Sequence, residues 1–139
     1  MRLVISMVFA AVLGVSLGAA KAEEASALSD AGDPDRGQRL YNQCRACHNL
    51  TNDKAHKRGP NLAGLFGRPA GKAADYALYS AALRDADFTW SEAALDRWLA
   101  DPRGFLPGNK MSFAGLRKEE DRRDLIAYLR RVLDEMDGK

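Results

Sequence analysis

Cys44-Arg45-Ala46-Cys47-His48 governs how this chain must fold, because C-x-x-C-H is the pattern through which a haem is attached covalently to a polypeptide. Each thiol can add across one vinyl group of a porphyrin, and the adjoining imidazole can bind the iron. The chain has only these 2 cysteines, so a zinc site would lack further thiolates. No βαβ pattern surrounds the motif, as a thioredoxin-like redox pair would require. The pentapeptide therefore predicts one haem c per chain, linked through Cys44 and Cys47.

An apolar segment at the N-terminus predicts export. Arg2 precedes a run of apolar or small residues from Leu3 to Ala20, and Ala20-Lys21-Ala22 fits the small-x-small rule for signal-peptide cleavage. We expect residues 1–22 to be removed, so that the mature chain begins at Glu23. An uncleaved membrane anchor is the alternative, because the run approaches the roughly 20 residues that span a bilayer.

The charge balance argues against a nucleic-acid-binding protein. The whole chain has 21 Lys and Arg against 19 Asp and Glu, and loss of residues 1–22 removes two basic residues and no acid. A nucleic-acid-binding surface needs a basic stripe, and a neutral mature chain does not favour one. Residues 51–118 hold 11 basic and 7 acidic side chains, whereas residues 119–139 hold 5 and 7. The mature chain is predicted to be one small domain with a basic middle and an acidic end.

The mature chain is predicted to start with a polar segment followed by a helix. Residues 23–32 are small and polar, and we interpret them as a flexible lead-in. Asp33 is a typical N-cap, and Pro34 suits the first helical position because no N–H donor is needed there. Apolar residues follow at helical spacing as far as Cys44. This helix therefore begins the domain, residues 33–139, and leads into the haem motif.

A longer helix is predicted near the C-terminus, from about Glu119 to Met136. Its first turn is acidic, which the helix dipole favours, and its apolar residues form one stripe. Gly37 of the first helix has no side chain, so we expect Tyr128 of the last helix to cross closely at this point. The two terminal helices would then close the domain.

The segment between these helices is predicted to be mostly loop. Ser91 is a predicted N-cap for a helix from Glu92 to Ala100, which Asp101-Pro102 ends, and a weaker helical turn is predicted near residues 78–83. No period-2 strand pattern is present. Gly, Pro and Asn are frequent in two long connections, residues 49–73 and 101–117. We predict an all-α fold whose long loops form the walls of a haem crevice.

A haem bound by one histidine keeps an open face, and the methionines are the next candidates to bind it. Met1 and Met7 leave with the predicted signal peptide, and Met136 lies on the apolar stripe of the last helix, so Met111 is left. Its segment has two prolines and two glycines, a composition that argues against a regular helix. Gap filling by Met111 in the core is one alternative. Ligation by His56, which lies in a basic loop that we predict to be solvated, is another.

Further motifs occur around the pentapeptide, and together they indicate a protein family more specifically than the pentapeptide alone. They are Gly37 and Tyr41, the run Gly59-Pro60-Asn61-Leu62-Ala63-Gly64-Leu65-Phe66-Gly67-Arg68, Tyr79-Ser80, Trp90, Pro107-Gly108-Asn109-Lys110-Met111 and Asp124-Leu125-Ile126-Ala127-Tyr128-Leu129. From about Asp33 to Arg131 the chain therefore resembles the class I c-type cytochromes, among them the mitochondrial and purple-bacterial soluble electron carriers. The resemblance implies the class I cytochrome c fold, in which packed terminal helices, shorter helices and long loops enclose one haem.

The resemblance also implies roles for individual residues. His48 and Met111 would be the axial ligands, with the neutral thioether raising the reduction potential, and the Pro60 carbonyl would accept the N–H of the His48 ring. Four hydrogen-bond donors would approach the haem propionates, namely Arg68, Tyr79, Trp90 and Asn109. Plain core packing is the alternative for the two aromatic residues. Trp98 would also border the haem, where the mitochondrial carriers have a tyrosine.

The function that the resemblance implies is one-electron transfer rather than catalysis. With two protein ligands no substrate reaches the iron, which can only cycle between ferric and ferrous states. A periplasmic location is implied as well, because haem is attached to such motifs outside the bacterial cytoplasm. The implied donor is a quinol–cytochrome c oxidoreductase, and the acceptor is a terminal oxidase or a photosynthetic reaction centre. We expect a monomer that docks transiently through basic residues at the haem edge, for which the candidates are Lys57, Lys72, Arg103, Lys110 and Arg117.

Two other classes of protein stay open as alternatives. A haem subunit or domain of a periplasmic redox enzyme, of peroxidase or sulfur-oxidation type, would need a labile sixth ligand so that peroxide or substrate could bind. A redox or gas sensor would need a signalling domain, and no pattern for one is found in this sequence.

Overall fold

The computed structural model describes residues 31–138, so the predicted signal peptide and residues 23–30 of the lead-in lie outside the described residues. Five helices follow one another in this part of the chain: α1 (Pro34–Tyr41), α2 (Ala81–Arg84), α3 (Glu92–Ala100), α4 (Pro102–Phe105) and α5 (Glu119–Asp137). Within residues 31–138 there is no β-strand, only one isolated bridge between Pro69 and Thr89. The all-α prediction is therefore confirmed. None of the described helices is long and apolar enough to cross a membrane.

Helix α1 begins where its N-cap was predicted but ends earlier than expected. The Asp33 carboxylate accepts hydrogen bonds from the backbone N–H groups of Asp35 (2.9 Å) and Arg36 (3.1 Å), two donors that have no partner inside the helix. These bonds lower the pKa of Asp33. The helix ends at Tyr41, and the chain continues in turns through Cys44. The prediction of a helix as far as Cys44 was therefore three residues too long, because the haem motif forms its own turns.

The predicted crossing of α1 and α5 at Gly37 is confirmed. A Cβ atom placed on Gly37 would lie 2.0 Å from the carbonyl oxygen of Asp124 and 2.7 Å from the Cβ of Tyr128. The rings of Tyr41 and Tyr128 pack beside the crossing with their centroids 5.6 Å apart. Only a glycine allows the two backbones to approach this closely.

Charged groups hold the same two helices together. The Asp124 carboxylate is 3% exposed, and its Oδ1 accepts a hydrogen bond of 2.7 Å from the Asp33 N–H. Its Oδ2 lies 2.9 Å from the Nε of Arg36. Arg36 also pairs with Glu120 and with Asp121, the latter at 2.7 Å. A single guanidinium on α1 therefore bridges three carboxylates of α5, one of them buried.

Helix α3 packs on the same core as α5. The hydroxyl of Ser91 accepts a hydrogen bond from the Ala94 N–H (3.1 Å), and the helix spans the predicted residues. The Nε of Arg122 donates to Asp96 (2.7 Å) and so ties α5 to α3. The buried faces of the two helices consist of Leu95, Trp98 and Leu99 from α3 and Leu125, Leu129 and Leu133 from α5.

The two shortest helices, α2 and α4, differ from what the sequence predicted. The helical turn predicted near residues 78–83 begins later, at Ala81, after the N-cap Ser80. Helix α4 lies in the Pro- and Gly-rich segment that was expected to contain no regular helix. Pro102 occupies its first turn, where proline is tolerated, and the Asp101 carboxylate accepts from the Gly104 N–H (3.0 Å). The proline therefore starts a helical turn here rather than preventing one.

Candidate haem-binding site

The His48 ring is held in one orientation by the chain that follows it. Its Nδ1 lies 2.7 Å from the carbonyl oxygen of Pro60. A carbonyl can only accept, so Nδ1 carries the proton and donates it, and Nε2 keeps its lone pair. Burial lowers the pKa of His48, the hydrogen bond to Pro60 opposes this shift, and the nearby charge of Lys57 adds to it. The net lowering favours the neutral imidazole, which is the form that binds a metal ion.

Two residues outside the pentapeptide make this orientation possible. A Cβ on Gly59 would lie 2.3 Å from the Cε1 of His48, so a side chain at this position would occupy the space of the ring. The hydroxyl of Tyr41 donates a hydrogen bond of 2.8 Å to the backbone carbonyl of His48. Both residues belong to motifs that were noted in the sequence, but their spacing did not indicate these contacts. The structure therefore adds them to the site.

The two cysteines lie on the turn that follows α1. Both thiols are free and partly buried, and the Cys47 N–H donates to the Cys44 carbonyl (3.0 Å). Burial raises the pKa of Cys44 to about 11, and the neighbouring Cys47 adds to the shift. The His48 N–H bonds to the same Cys44 carbonyl (3.0 Å). One short turn thus presents two thiols and an imidazole, which is the donor set for thioether attachment of a haem.

The guanidinium of Arg68 uses only some of its hydrogen-bond donors within residues 31–138. Its terminal nitrogens donate to the carbonyls of Ala63 (2.8 Å) and Asn61 (3.3 Å). Its Nε is buried and has no hydrogen-bond partner within residues 31–138. Burial lowers the pKa of Arg68, and the Tyr79 phenol opposes that shift. A buried guanidinium with a spare donor suits a carboxylate, so the residues present fit a haem propionate at this position.

Trp90 and Tyr79 share the environment of Arg68. The backbone N–H of Trp90 donates to the Arg68 carbonyl (3.0 Å), and the backbone N–H of Gly67 donates to the Trp90 carbonyl (2.9 Å). Tyr79 is 9% exposed, and its oxygen accepts from the Ala73 N–H (3.2 Å), which leaves the hydroxyl proton to be donated elsewhere. The structure therefore brings three of the four predicted propionate donors into one region.

Trp98 belongs to an aromatic cluster in which Trp90 is also buried and Phe88 and Phe105 are partly buried. Its ring centroid lies 5.4 Å from that of Trp90 and 6.1 Å from that of Phe105, with both pairs close to perpendicular. Edge-to-face packing of this kind is favourable and fills a large volume. The indole of Trp98 is therefore accommodated by its aromatic neighbours.

Asn109 differs from the other three predicted propionate donors, because its side-chain amide bonds to the backbone. Its side-chain Nδ2 donates to the carbonyls of Pro102 (2.7 Å) and Leu106 (2.9 Å). Both amide hydrogens are thereby used within the loop, so a propionate contact by Asn109 would require one of these bonds to break. Met111, which follows, is partly buried and packs against the core.

His56 is partly buried, although its charged neighbours are exposed as the sequence suggested. Its Nδ1 accepts a hydrogen bond from the Asn61 N–H (2.8 Å), and its Nε2 donates to the Ala74 carbonyl (2.6 Å). The ring also packs edge-on against Tyr76, with the centroids 5.2 Å apart. The charged residues next to His56 gave no sign of these hydrogen bonds, because the bonding partners of the ring lie elsewhere in the sequence. With both nitrogens in use, His56 joins two loops and has no lone pair free for iron.

Comparisons with known proteins agree with this site. The sequence profile of the family described as "Cytochrome c" matches residues 34–132. Cytochrome c of Chlamydomonas reinhardtii is 50% identical over 103 residues, which cover 73% of this chain and 91% of that protein. Cytochrome c of Theileria annulata is 46% identical over 100 residues, covering 71% and 85%. The solved structure of cytochrome cH from Methylobacterium extorquens has a TM-score of 0.67 at 40% identity, covering 72% of this chain and 99% of that one.

The family profile covers most of the helical domain, from residue 34 to residue 132, and this range includes the C-x-x-C-H motif. The similarity in sequence and the similarity in fold therefore point to the same family, and the haem predicted from the pentapeptide is the cofactor that this family carries. The chain belongs to the cytochrome c family of electron carriers, with Cys44 and Cys47 placed to attach its haem c.

Proposed function

We propose that this protein is a periplasmic one-electron carrier in which His48 and Met111 would hold the haem iron. The observation that carries the proposal is the hydrogen bond from His48 Nδ1 to the Pro60 carbonyl, because it leaves Nε2 as the nitrogen available to a metal ion. The bond also makes the imidazole more basic and prevents the ring from rotating. A ligand held in this way keeps the same geometry in both oxidation states.

The bound haem would supply a one-electron change between ferric and ferrous iron. The polypeptide would surround this group with buried apolar side chains. Trp90, Trp98 and Leu99 are each less than 10% exposed, and Met111 packs against the same core. Few polar groups then need to reorient when the charge changes, which favours fast electron transfer over binding of a substrate.

The propionates would be held by the group of donors around Arg68. The buried, unpartnered Nε of Arg68 supports this assignment, and the free hydroxyl proton of Tyr79 and the indole N–H of Trp90 add neutral donors. Asn109 would join them only by giving up one of its bonds to the loop. We therefore propose Arg68, Tyr79 and Trp90 as the main propionate contacts.

Exposed cations support docking to acidic partner proteins. Among the described residues, none of the five candidate docking residues forms an ion pair, whereas Arg130 pairs with Glu92 (2.6 Å) and Arg131 with Asp35 (2.9 Å). The uncompensated candidates are Lys57, Lys72, Arg103, Lys110 and Arg117. We propose that a monomer uses them to meet a quinol–cytochrome c oxidoreductase as donor and a terminal oxidase or reaction centre as acceptor. Attraction of this kind mainly raises the association rate.

The periplasmic part of the proposal rests on the N-terminal sequence. An apolar run followed by Ala20-Lys21-Ala22 is typical of a cleaved signal peptide. Intact-mass measurement of the periplasmic fraction should give a chain that starts at Glu23 and carries one haem. Recovery of the haem protein only from membranes, with Met1 intact, would contradict this location and support an anchor.

Replacement of Met111 tests the electron-carrier proposal. Met111→Ala should abolish the near-infrared sulfur-to-iron charge-transfer band, lower the reduction potential and allow cyanide or carbon monoxide to bind rapidly at neutral pH. Met136→Ala is the matched control, because this methionine lies on α5 and should leave the band intact. An unchanged band in Met111→Ala would show that the sixth ligand lies elsewhere. Rapid carbon monoxide binding by the unaltered protein would favour a redox enzyme with a labile ligand.

A further inference from the structure

The loop that leads to Met111 contains a tight turn. The Asn109 N–H donates to the carbonyl of Leu106 (3.2 Å), so residues 106–109 form a β-turn. Pro107 occupies its first central position, and Gly108 occupies the second with φ +86°. Proline followed by a residue of positive φ is the signature of a type II turn. The turn reverses the chain and places the side chain of Asn109 against the beginning of the loop.

The Asn109 side chain then bonds to three backbone groups at once. Its Nδ2 donates to the carbonyls of Pro102 (2.7 Å) and Leu106 (2.9 Å), and its Oδ1 accepts from the N–H of Met111 (3.0 Å). Pro102 is among the most deeply buried residues of the described chain. The amide therefore connects the backbone of Met111 to a fixed point nine positions earlier in the chain.

The same bonding pattern occurs once more near the other predicted axial ligand. The Nδ2 of Asn61 donates to the carbonyls of Thr51 (2.8 Å) and Lys54 (2.7 Å), and its Oδ1 accepts from the N–H of Ala63 (2.9 Å). Asn61 directly follows Pro60, whose carbonyl holds the His48 ring. Each asparagine thus bonds two carbonyls of an earlier loop and the N–H two residues ahead.

We propose that Asn109 is the positioning residue for Met111. The inference rests on the proposed function, in which Met111 is the sixth iron ligand. A thioether has no N–H or O–H donor and its sulfur is only a weak acceptor, so strong hydrogen bonds can hold it only through its own backbone. The Asn109 amide bonds that backbone directly and ties it to Pro102. Asn109 therefore sets how often the Met111 segment moves away and leaves the iron open to another ligand.

The chemistry of the amide explains why asparagine suits this position. One planar group supplies two N–H donors and one acceptor, and all three functions are used here. Aspartate has nearly the same shape but only acceptors, so it would bring a carboxylate against two carbonyl oxygens. Threonine has one donor and one acceptor, so it could keep the bond to Met111 and at most one carbonyl bond. These two substitutions therefore remove the bonds in graded steps.

Imidazole binding to the ferric holoprotein measures the opening directly. Imidazole reaches the iron only in molecules whose sixth position is open, so its apparent affinity rises in proportion to that open fraction. Each lost hydrogen bond should raise the open fraction about fivefold. Asn109→Asp should therefore bind imidazole about 30-fold more tightly than the unaltered protein, and Asn109→Thr about fivefold. Both should retain the near-infrared charge-transfer band without imidazole at neutral pH.

Two control substitutions separate positioning of Met111 from general loosening. Asn61→Asp removes the same type of bonds on the His48 side, so it should lower the unfolding free energy while leaving imidazole affinity within about twofold. Asn52→Asp adds the same charge at an exposed site and should change neither quantity. If Asn109→Asp fails to mature, Asn109→Thr still provides the comparison with Asn61→Thr.

Three results would overturn the inference, and they point to different causes. Imidazole affinity that changes less than twofold in both Asn109 variants, with the band present, would show that Asn109 does not position the ligand. Equal tightening in the Asn61 variants would show general loosening of the loops. Absence of the charge-transfer band in the unaltered protein would show that Met111 is not the ligand, and the proposed function would fail with the inference.

Discussion

Gly37→Ala is the substitution whose effect follows most directly from the structure. The added Cβ would lie 2.0 Å from the carbonyl oxygen of Asp124 and 2.7 Å from the Cβ of Tyr128. A carbon and an oxygen atom in contact are normally about 3.3 Å apart. The clash is with backbone, so no rotation of a side chain can relieve it. We expect α1 and α5 to separate by about 1.3 Å at the crossing, a distance that follows from the normal contact.

Two effects of this separation lower the free energy of unfolding, and one effect of the alanine raises it. Overpacking in a core usually costs about 1–3 kcal/mol, and a backbone clash belongs at the upper end. The movement would also stretch the hydrogen bond from the Asp33 N–H to Asp124 (2.7 Å) and the ion pair between Asp124 and Arg36 (2.9 Å). A lost hydrogen bond to a charged group costs about 1.5 kcal/mol or more. Alanine favours the helix over glycine by about 1 kcal/mol. The net loss of unfolding free energy should be about 3 kcal/mol.

Denaturant unfolding of the holoprotein, followed by far-ultraviolet circular dichroism, measures this loss. A change of about 3 kcal/mol corresponds to a fall in Tm of about 12 °C for a domain of this size. Gln38→Ala is the matched control, because Gln38 is the exposed neighbour of Gly37 on α1 and tests the alanine preference alone. It should leave stability unchanged or raise it slightly. A loss below about 0.5 kcal/mol for Gly37→Ala, with an unchanged denaturant slope, would refute the argument that the helices depend on this approach.

Three further predictions test the haem site and the proposed docking surface. Arg68→Leu removes a buried positive charge beside the proposed propionates and should lower the reduction potential by about 40 mV, the equivalent of about 1 kcal/mol; an unchanged potentiometric titration would place the propionates elsewhere. His56→Ala should cost about 2 kcal/mol of unfolding free energy by removing two hydrogen bonds, yet keep the charge-transfer band; loss of the band would reopen His56 as a ligand. Charge reversal of docking residues should slow electron transfer to the partner several-fold at low salt, converging with the unaltered rate at high salt; equal effects at the ion-paired control positions would exclude docking through this surface. The docking variants are Lys72→Glu and Lys110→Glu, and the controls are Arg130→Glu and Arg131→Glu.

Features with a local cause were predicted well from the sequence. Asp33 and Ser91 cap their helices as expected, because an N-cap contacts only the next two or three residues. The α1–α5 crossing is a tertiary feature, but a glycine on the apolar face of one helix and an aromatic residue on the stripe of the other were enough to locate it. The haem-attachment motif also has a local cause, since five consecutive residues contain both thiols and the imidazole.

Features that depend on distant neighbours could not be predicted from the sequence. His56 lies among charged residues, and nothing in that stretch indicates that its ring bonds to the Ala74 carbonyl, 18 positions away. Gly59 resembles an ordinary turn glycine until the His48 ring is seen in the space of its missing side chain. Asn109 was predicted to donate to a haem propionate, but in the structure its amide hydrogens are used elsewhere. Its partners are loop carbonyls, which only the fold of the loop brings within reach.

The two predicted axial ligands are held by different physical means, and this difference determines which of them leaves first. The His48 ring is fixed through its own Nδ1, and Gly59 allows the backbone to pack directly against the ring. Within residues 31–138 no hydrogen bond to the Met111 sulfur is formed, and the Met111 segment is held instead through the bond from its backbone N–H to Asn109. A stress that weakens neutral hydrogen bonds in loops should therefore release the thioether before the imidazole. Mild denaturant should accordingly abolish the charge-transfer band while the His48–iron bond and both thioether links persist.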